Sequence, residues 1–198
     1  MSRVFLEGGG DSKELQVRCR EGFRRLLENC GYAGRLPRLV ACGGRKTAFD
    51  DFERAHKEHS SSEFIVMLVD SEDQIDDIEK TWGHLQKRDQ LPRPPNTLDE
   101  QVLLMTTCME TWIVCDRATL KRHYGNGFQE SALPPLTDLE KRPRQVILEQ
   151  LLHATRNCSN AYKKGGRSYQ VLGMLDPAVL QKHLPSFSRI RRILDARL

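Results

Sequence analysis

Three carboxylates stand where metal-assisted phosphoryl chemistry would need them. Glu7 follows the short apolar run Val4-Phe5-Leu6, and Asp70 follows the longer run Phe64-Ile65-Val66-Met67-Leu68-Val69, with Glu72 two residues further on. Ligands of open parallel sheets collect at the C-terminal ends of strands, so Glu7 and Asp70 would face one crevice if their strands are neighbours. Carboxylate oxygens suit Mg²⁺ or Mn²⁺, which also take water and substrate phosphate. A cation held there can polarise a phosphoryl oxygen and orient a water for in-line attack. Asp70 could merely end its strand, but an acid directly after an apolar run is costly unless it meets water, a cap or a cation. That favours a working role.

The elements that would position these groups alternate in type. A strand over residues 4–6 delivers Glu7, Gly8-Gly9-Gly10 turns the chain, and Asp11 with Glu14 reads as a capping box opening a helix. Leu15, Cys19, Phe23, Leu26 and Cys30 recur at helical spacing, and Gly31 and Gly34 close the helix. Residues 38–42 read as a second strand, Gly43-Gly44 as a turn, and 46–59 as a helix with Phe49 and Phe52 inward. After a polar connector, Ser60-Ser61-Ser62, the run 64–69 has the composition of a strand buried on both faces of a parallel sheet. The order strand–helix–strand–helix–strand predicts a right-handed α/β layer.

Further on, 91–96 is a proline-rich loop, and 102–115 is an apolar stretch in which a strand runs into a helix. Gly125-Asn126-Gly127, Leu133-Pro134-Pro135 and Arg142-Pro143 then break the chain into small helices around Leu120, 147–152 and 179–184. The stretch 190–194 is amphipathic and arginine-rich: a docking segment or a closing helix. The expected architecture is a Rossmann-like, mainly parallel sheet flanked by helices over 1–116, with a helical extension over 117–198 packed on the same core.

Composition sets outer limits. The 198 residues are 38% hydrophobic and 29% charged, enough for a real core and too apolar for a disordered chain. A net charge of +4 permits a nucleic-acid partner without demanding one. The six cysteines include no C-x-x-C pair, and no His cluster has zinc-ligand spacing. They read as small reduced hydrophobes in a reducing cytoplasm. The N-terminus lacks the apolar stretch of a signal peptide, and 64–69 is far too short to span a bilayer, so no membrane association is expected.

Val4-Phe5-Leu6-Glu7-Gly8-x-x-Asp11 resembles the first motif of Toprim domains, and the strand ending in Asp70-Ser71-Glu72 resembles their second, normally Asp-x-Asp. Glu72 departs from that pattern, keeping the charge on a longer arm. A closer resemblance is to small bacterial Toprim-like proteins of uncharacterised function, related to the Toprim domains of overcoming-lysogenization-type nucleases. It rests on Glu7-Gly-Gly-Gly-Asp11-Ser12-Lys13-Glu14-Leu15, Ala41-Cys42-Gly43-Gly44-Arg45, Leu68-Val69-Asp70-Ser71-Glu72, Cys108-Met109-Glu110-Thr111-Trp112 and Tyr162-Lys163-Lys164-Gly165. Members are often encoded beside an ABC- or AAA-type ATPase in defence-like gene pairs. The resemblance implies a Toprim-like fold and a Mg²⁺- or Mn²⁺-dependent nuclease acting as the effector of an ATPase-coupled anti-phage system. It implies that Glu7 is a metal-linked carboxylate or proton-transfer group, and that Asp70 and Glu72 are direct ligands. Glu110 would be an additional acid near a second metal, or else a buried Glu paired with an Arg. Trp112 reads as core packing.

A phosphodiester substrate also needs cationic help. Arg45 follows the turn after the second strand, and Lys163, Lys164 and Arg167 surround Gly165-Gly166. Arg45 and Lys164 are the first candidates for catalysis, and all four for nucleic-acid contact; the bland reading is that the lysines solvate a loop. Arg18, Arg20, Arg24 and Arg25 read as a solvated helix face. The competing function is a non-catalytic, Toprim-shaped subunit that binds its ATPase or nucleic acid. A phospho-acceptor receiver would pair acids directly after strand one, where this chain has three glycines, and no Gly-Lys-Ser/Thr follows to make a P-loop.

Overall fold

The computed structural model describes residues 2–58 and 63–198. The expected connector Ser60-Ser61-Ser62, and His59 at the end of the expected second helix, lie outside the described residues. In the first half, β1 (Arg3–Leu6), α1 (Lys13–Leu27), β2 (Arg38–Ala41), α2 (Arg45–Glu58), β3 (Ile65–Asp70), α3 (Thr81–Asp89), β4 (Val102–Met105) and α4 (Met109–Cys115) follow in order. Five helices complete the chain: α5 (Arg117–Tyr124), α6 (Arg144–Thr155), α7 (Gly166–Leu172), α8 (Pro177–His183) and α9 (Pro185–Arg197).

The class is α/β, with a wholly parallel four-stranded sheet in the order β2-β1-β3-β4, flanked by helices and consistent with a Rossmann-like or Toprim-like layer. From β1 the chain steps to β2 on one side and then to β3 on the other. Where the winding reverses, the connections leaving neighbouring strands diverge and open a crevice at their C-terminal ends. That switch point lies between β1 and β3, whose ends carry Glu7 and Asp70.

Strand side chains alternate between two buried faces. Val4, Leu6, Val66, Leu68, Leu103 and Met105 pack with Phe23, Leu26 and Trp112 on one side. Phe5, Ile65, Met67, Val69, Val102 and Leu104 meet Phe49, Phe52, Trp82 and Leu85 of α2 and α3 on the other. This two-sided burial is why the strand-three stretch is continuously apolar.

The helical extension shares the first of these cores. Phe187, Ile190, Ile193 and Leu194 of α9 belong to the same cluster as Leu6 and Leu68. Arg189 is buried and donates to the Val102 carbonyl at 3.0 Å and the Asp99 carbonyl at 2.8 Å, while Arg191 donates to the Cys30 carbonyl at 2.7 Å. The arginine-rich segment is therefore the closing helix, its cations turned to carbonyls and, at Glu79, to a carboxylate of this chain. Helix α7 lies against α1 at Gly22, where a Cβ would come within 2.5 Å of the Tyr169 carbonyl oxygen.

The structure departs from expectation at three places. Ser12, not Asp11, caps α1, its hydroxyl accepting from the Leu15 N–H at 3.1 Å, while Glu14 is exposed and pairs with Arg18. Helix α3 was not anticipated, because its cap is remote: Asp99 Oδ1 accepts from the Trp82 N–H at 2.9 Å. The Gly165-Gly166 turn runs directly into α7. All six cysteines are buried free thiols. No helix among the described residues is long and apolar enough to cross a membrane.

Candidate metal centre

Glu7, Asp70 and Glu110 line one cleft of about 390 Å³ together with Lys164 and Tyr169. Glu7 is placed by the ladder: its N–H continues the β1–β3 pairing to the Leu68 carbonyl at 3.0 Å, and its Oε2 accepts from the Asp70 N–H at 3.1 Å. Asp70 Oδ1 in turn accepts from the Met109 N–H at 2.9 Å, at the start of α4. Glu110, only 2% exposed, accepts from the Tyr162 hydroxyl at 2.6 Å. Lys164 Nζ stands 4.0 Å from Glu110 Oε1. On the opposite wall the Gly9 N–H donates to Tyr169 Oη at 2.7 Å. Gly8 allows that approach, since a Cβ there would lie 2.7 Å from the same oxygen and the backbone has φ +140°.

The electrostatics reflect this crowding. Burial, followed by the neighbouring Glu7 and Glu110 charges, pushes the Asp70 carboxyl up to about 7, against the opposing pull of Lys164 and the Met109 N–H. Burial and Glu110 push the Tyr162 phenol far up, so it serves as a hydrogen-bond donor.

The donor set is all hard oxygen, and a cation would offset the repulsion at Asp70. Among the described residues, no group of three or more His, Cys, Asp or Glu side chains is gathered closely enough to cage a metal ion. A closed structural site is therefore not built here. Mg²⁺ is commonly held by one or two carboxylates, with water and substrate phosphate completing its shell. The open cleft at Asp70 suits that arrangement.

The expected residues divide into two groups. Glu72 lines the cleft, but its carboxylate pairs with Arg144, with Arg45 at 3.6 Å and with Arg88 at 3.7 Å. It is engaged with guanidinium groups rather than directed with Asp70 at a common point. Arg45 stands beside Glu7 as expected, yet its guanidinium is taken up by Glu7, by Asp89 at 2.7 Å and by the Asp70 carbonyl. Glu110 has a tyrosine for its direct partner, not the arginine of the alternative reading. Lys164 lines the cleft, whereas Lys163, exposed like it, does not, and Arg167 donates to the Ala161 carbonyl at 3.1 Å. Tyr162, Tyr169, Arg88 and Arg144 carry no site signal in the sequence; Tyr162 stands in a matching segment, but nothing in its spacing ties it to Glu110.

Residues 6–195 match a family described as "Domain of unknown function (DUF4276)". The chain belongs to this family. The DUF4276 match runs from just before Glu7 to beyond Tyr169, so it takes in every residue of the cleft. Nothing among curated proteins or solved structures matches the chain.

Proposed function

We propose that this DUF4276 protein is a Mg²⁺- or Mn²⁺-dependent nuclease hydrolysing phosphodiesters of DNA or RNA in the cleft at the ends of β1 and β3. The observation that carries the reading is the cleft at the ends of β1 and β3, which Glu7, Asp70 and Glu110 line together with Lys164 and where burial and the two neighbouring carboxylates push the Asp70 carboxyl up. Asp70 would hold the cation, with Glu7 and Glu110 as flanking carboxylates. A cation there would supply Lewis acidity toward a phosphoryl oxygen and a bound water of lowered pKa. Lys164 offers positive charge to the phosphate as negative charge builds on it. Arg45 acts as a positioning residue, because it fixes Glu7 and the Asp70 carbonyl. Tyr162 holds Glu110, and Tyr169 holds the glycine wall.

The resemblance to Toprim-like proteins extends the proposal to an effector subunit working with an ABC- or AAA-type ATPase in anti-phage defence. Buried free cysteines support a reducing, cytoplasmic setting. The test is cleavage of labelled DNA and RNA with Mg²⁺ or Mn²⁺, lost in Glu7→Ala and in Asp70→Ala. Activity retained in both variants overturns the reading.

One observation favours a second reading. Glu72 is paired with arginines where an Asp-x-Asp pattern would supply a ligand, as suits a non-catalytic, Toprim-shaped subunit of an ATPase complex. Calorimetric titration with Mn²⁺ separates the two, because a non-catalytic subunit without a metal site gives no binding heat.

A further inference from the structure

Beside the acidic cleft lies a second pocket of about 410 Å³, and the two share Glu72 and Arg144. Its wall brings Arg88 of α3 together with Lys141 and Arg142 from the approach to α6 and Arg144, the first residue of that helix; the carboxylates on it are Glu72 and Asp73. Four cations thus face two anions. The pairings are uneven. Arg88 meets Asp73 at 2.8 Å, Glu72 at 3.7 Å and also Asp89, Lys141 meets Asp138 at 2.7 Å, and Arg144 meets Glu72. Among the described residues Arg142 makes no ion pair within 4 Å, though its charge acts on Asp138; it reaches the Thr137 carbonyl at 3.5 Å, and its Nε is buried without a hydrogen-bond partner there. Arg142 lines the pocket, and a guanidinium with no carboxylate committed to it can turn its terminal N–H groups to an anion there.

Glu72 occupies the junction between the pocket and the cleft. It holds φ +66°, a backbone region that few side chains adopt, and its N–H is tied to the Thr107 carbonyl at 2.7 Å. From there its carboxylate serves Arg45, Arg88 and Arg144 at once.

We infer that this pocket is a phosphate subsite, in which Arg142 and Arg144 take a backbone phosphate of a nucleic-acid strand next to the one in the acidic cleft, and that Glu72 is the internal anion this phosphate displaces from Arg144. The inference rests on the nuclease reading of the cleft. It differs from the loop of Lys163, Lys164 and Arg167 in placing the strand's track across the β3–β4 side of the site. Arg144, lining both pockets, connects the two phosphate positions.

The test is fluorescence anisotropy of short labelled DNA and RNA duplexes with the full chain, in EDTA so that no cleavage intervenes. Arg142→Gln and Arg144→Gln should each weaken binding about tenfold at low salt and reduce the salt slope by about one. Glu72→Gln should tighten binding several-fold, and that gain should vanish in the Arg144→Gln background. Arg54→Gln, on the exposed part of α2, should bind as wild type. Arg142 precedes α6, so Arg142→Gln carries the test even if Arg144→Gln fails to fold by circular dichroism. Wild-type affinity and slope in Arg142→Gln, or no affinity of the wild type for either duplex, overturns the subsite. Normal binding without metal-dependent cleavage overturns the nuclease reading and leaves the subsite standing.

Discussion

Arg45 donates from Nε at 3.2 Å and from Nη2 at 3.1 Å to a single oxygen of Glu7, Oε2, the same atom that accepts from the Asp70 N–H. One guanidinium thereby fixes the ends of two strands, and its Nη1 reaches Asp89 at the end of α3. The arginine is 11% exposed in its side chain, so these bonds form largely out of water.

Arg45→Lys should therefore fail to rescue what Arg45→Ala loses. A point-charge ammonium cannot bridge Glu7, Asp89 and the Asp70 carbonyl together. Removing one partner of a largely buried pair costs about 3–5 kcal/mol, and urea unfolding should show both variants destabilised within that range. A lysine variant as stable as wild type would contradict the bridging role.

Asp70→Asn should stabilise the metal-free protein. The amide can keep the bond from the Met109 N–H while removing a charge set against Glu7 and Glu110. Relief of about 1–2 kcal/mol corresponds to a rise in Tm of roughly 2–8 °C at this chain length. Thermal melts with and without MnCl₂ check it: the variant should melt above wild type in EDTA and lose the rise that Mn²⁺ gives wild type.

Tyr162→Phe leaves the Glu110 carboxylate buried without its direct donor, which should cost about 1–3 kcal/mol in chemical denaturation. Pairing it with Glu110→Gln in a double-mutant cycle should give a coupling well above the cycle error. Additive losses would show that the hydroxyl and the carboxylate act independently.

Glu140 provides a pH dependence away from the cleft. Burial pushes its carboxyl up to about 7 against the hydrogen bonds from the Ser186 N–H and hydroxyl at the start of α9. The unfolded chain titrates near 4.5, so between those values the folded state binds more protons and stability falls as pH rises. The contribution is fully present below about 4.5 and gone above about 7. Wild type should lose on the order of 2–3 kcal/mol relative to Glu140→Gln across that window. Parallel urea titrations at pH 4.5 and 7.5 measure it, and a constant difference between the two proteins would contradict the assignment.

Much of the fold was legible because it follows from local pattern. The ends of β1 and β3 could be read from two apolar runs, and their adjacency brings Glu7 and Asp70 into one cleft. Helix α3 was hidden because Asp99, 17 positions beyond Trp82, caps it. Glu72 shows the same limit in the site. Its spacing from Asp70 suits a ligand, but its direction is set by Arg88 and Arg144, which arrive from other helices. Asp11 and Ser12 are both good caps, and which one serves depends on how Gly8-Gly9-Gly10 delivers the chain.

The bond between the Gly9 N–H and Tyr169 Oη spans 160 positions. During synthesis, at about 5–20 residues per second, the glycine turn must wait on the order of ten seconds or more for that tyrosine. Glu110 likewise precedes Tyr162 and Lys164 by more than fifty positions. A nascent chain thus carries its carboxylates long before the wall that encloses them, and the cleft is completed only once α7 has been made.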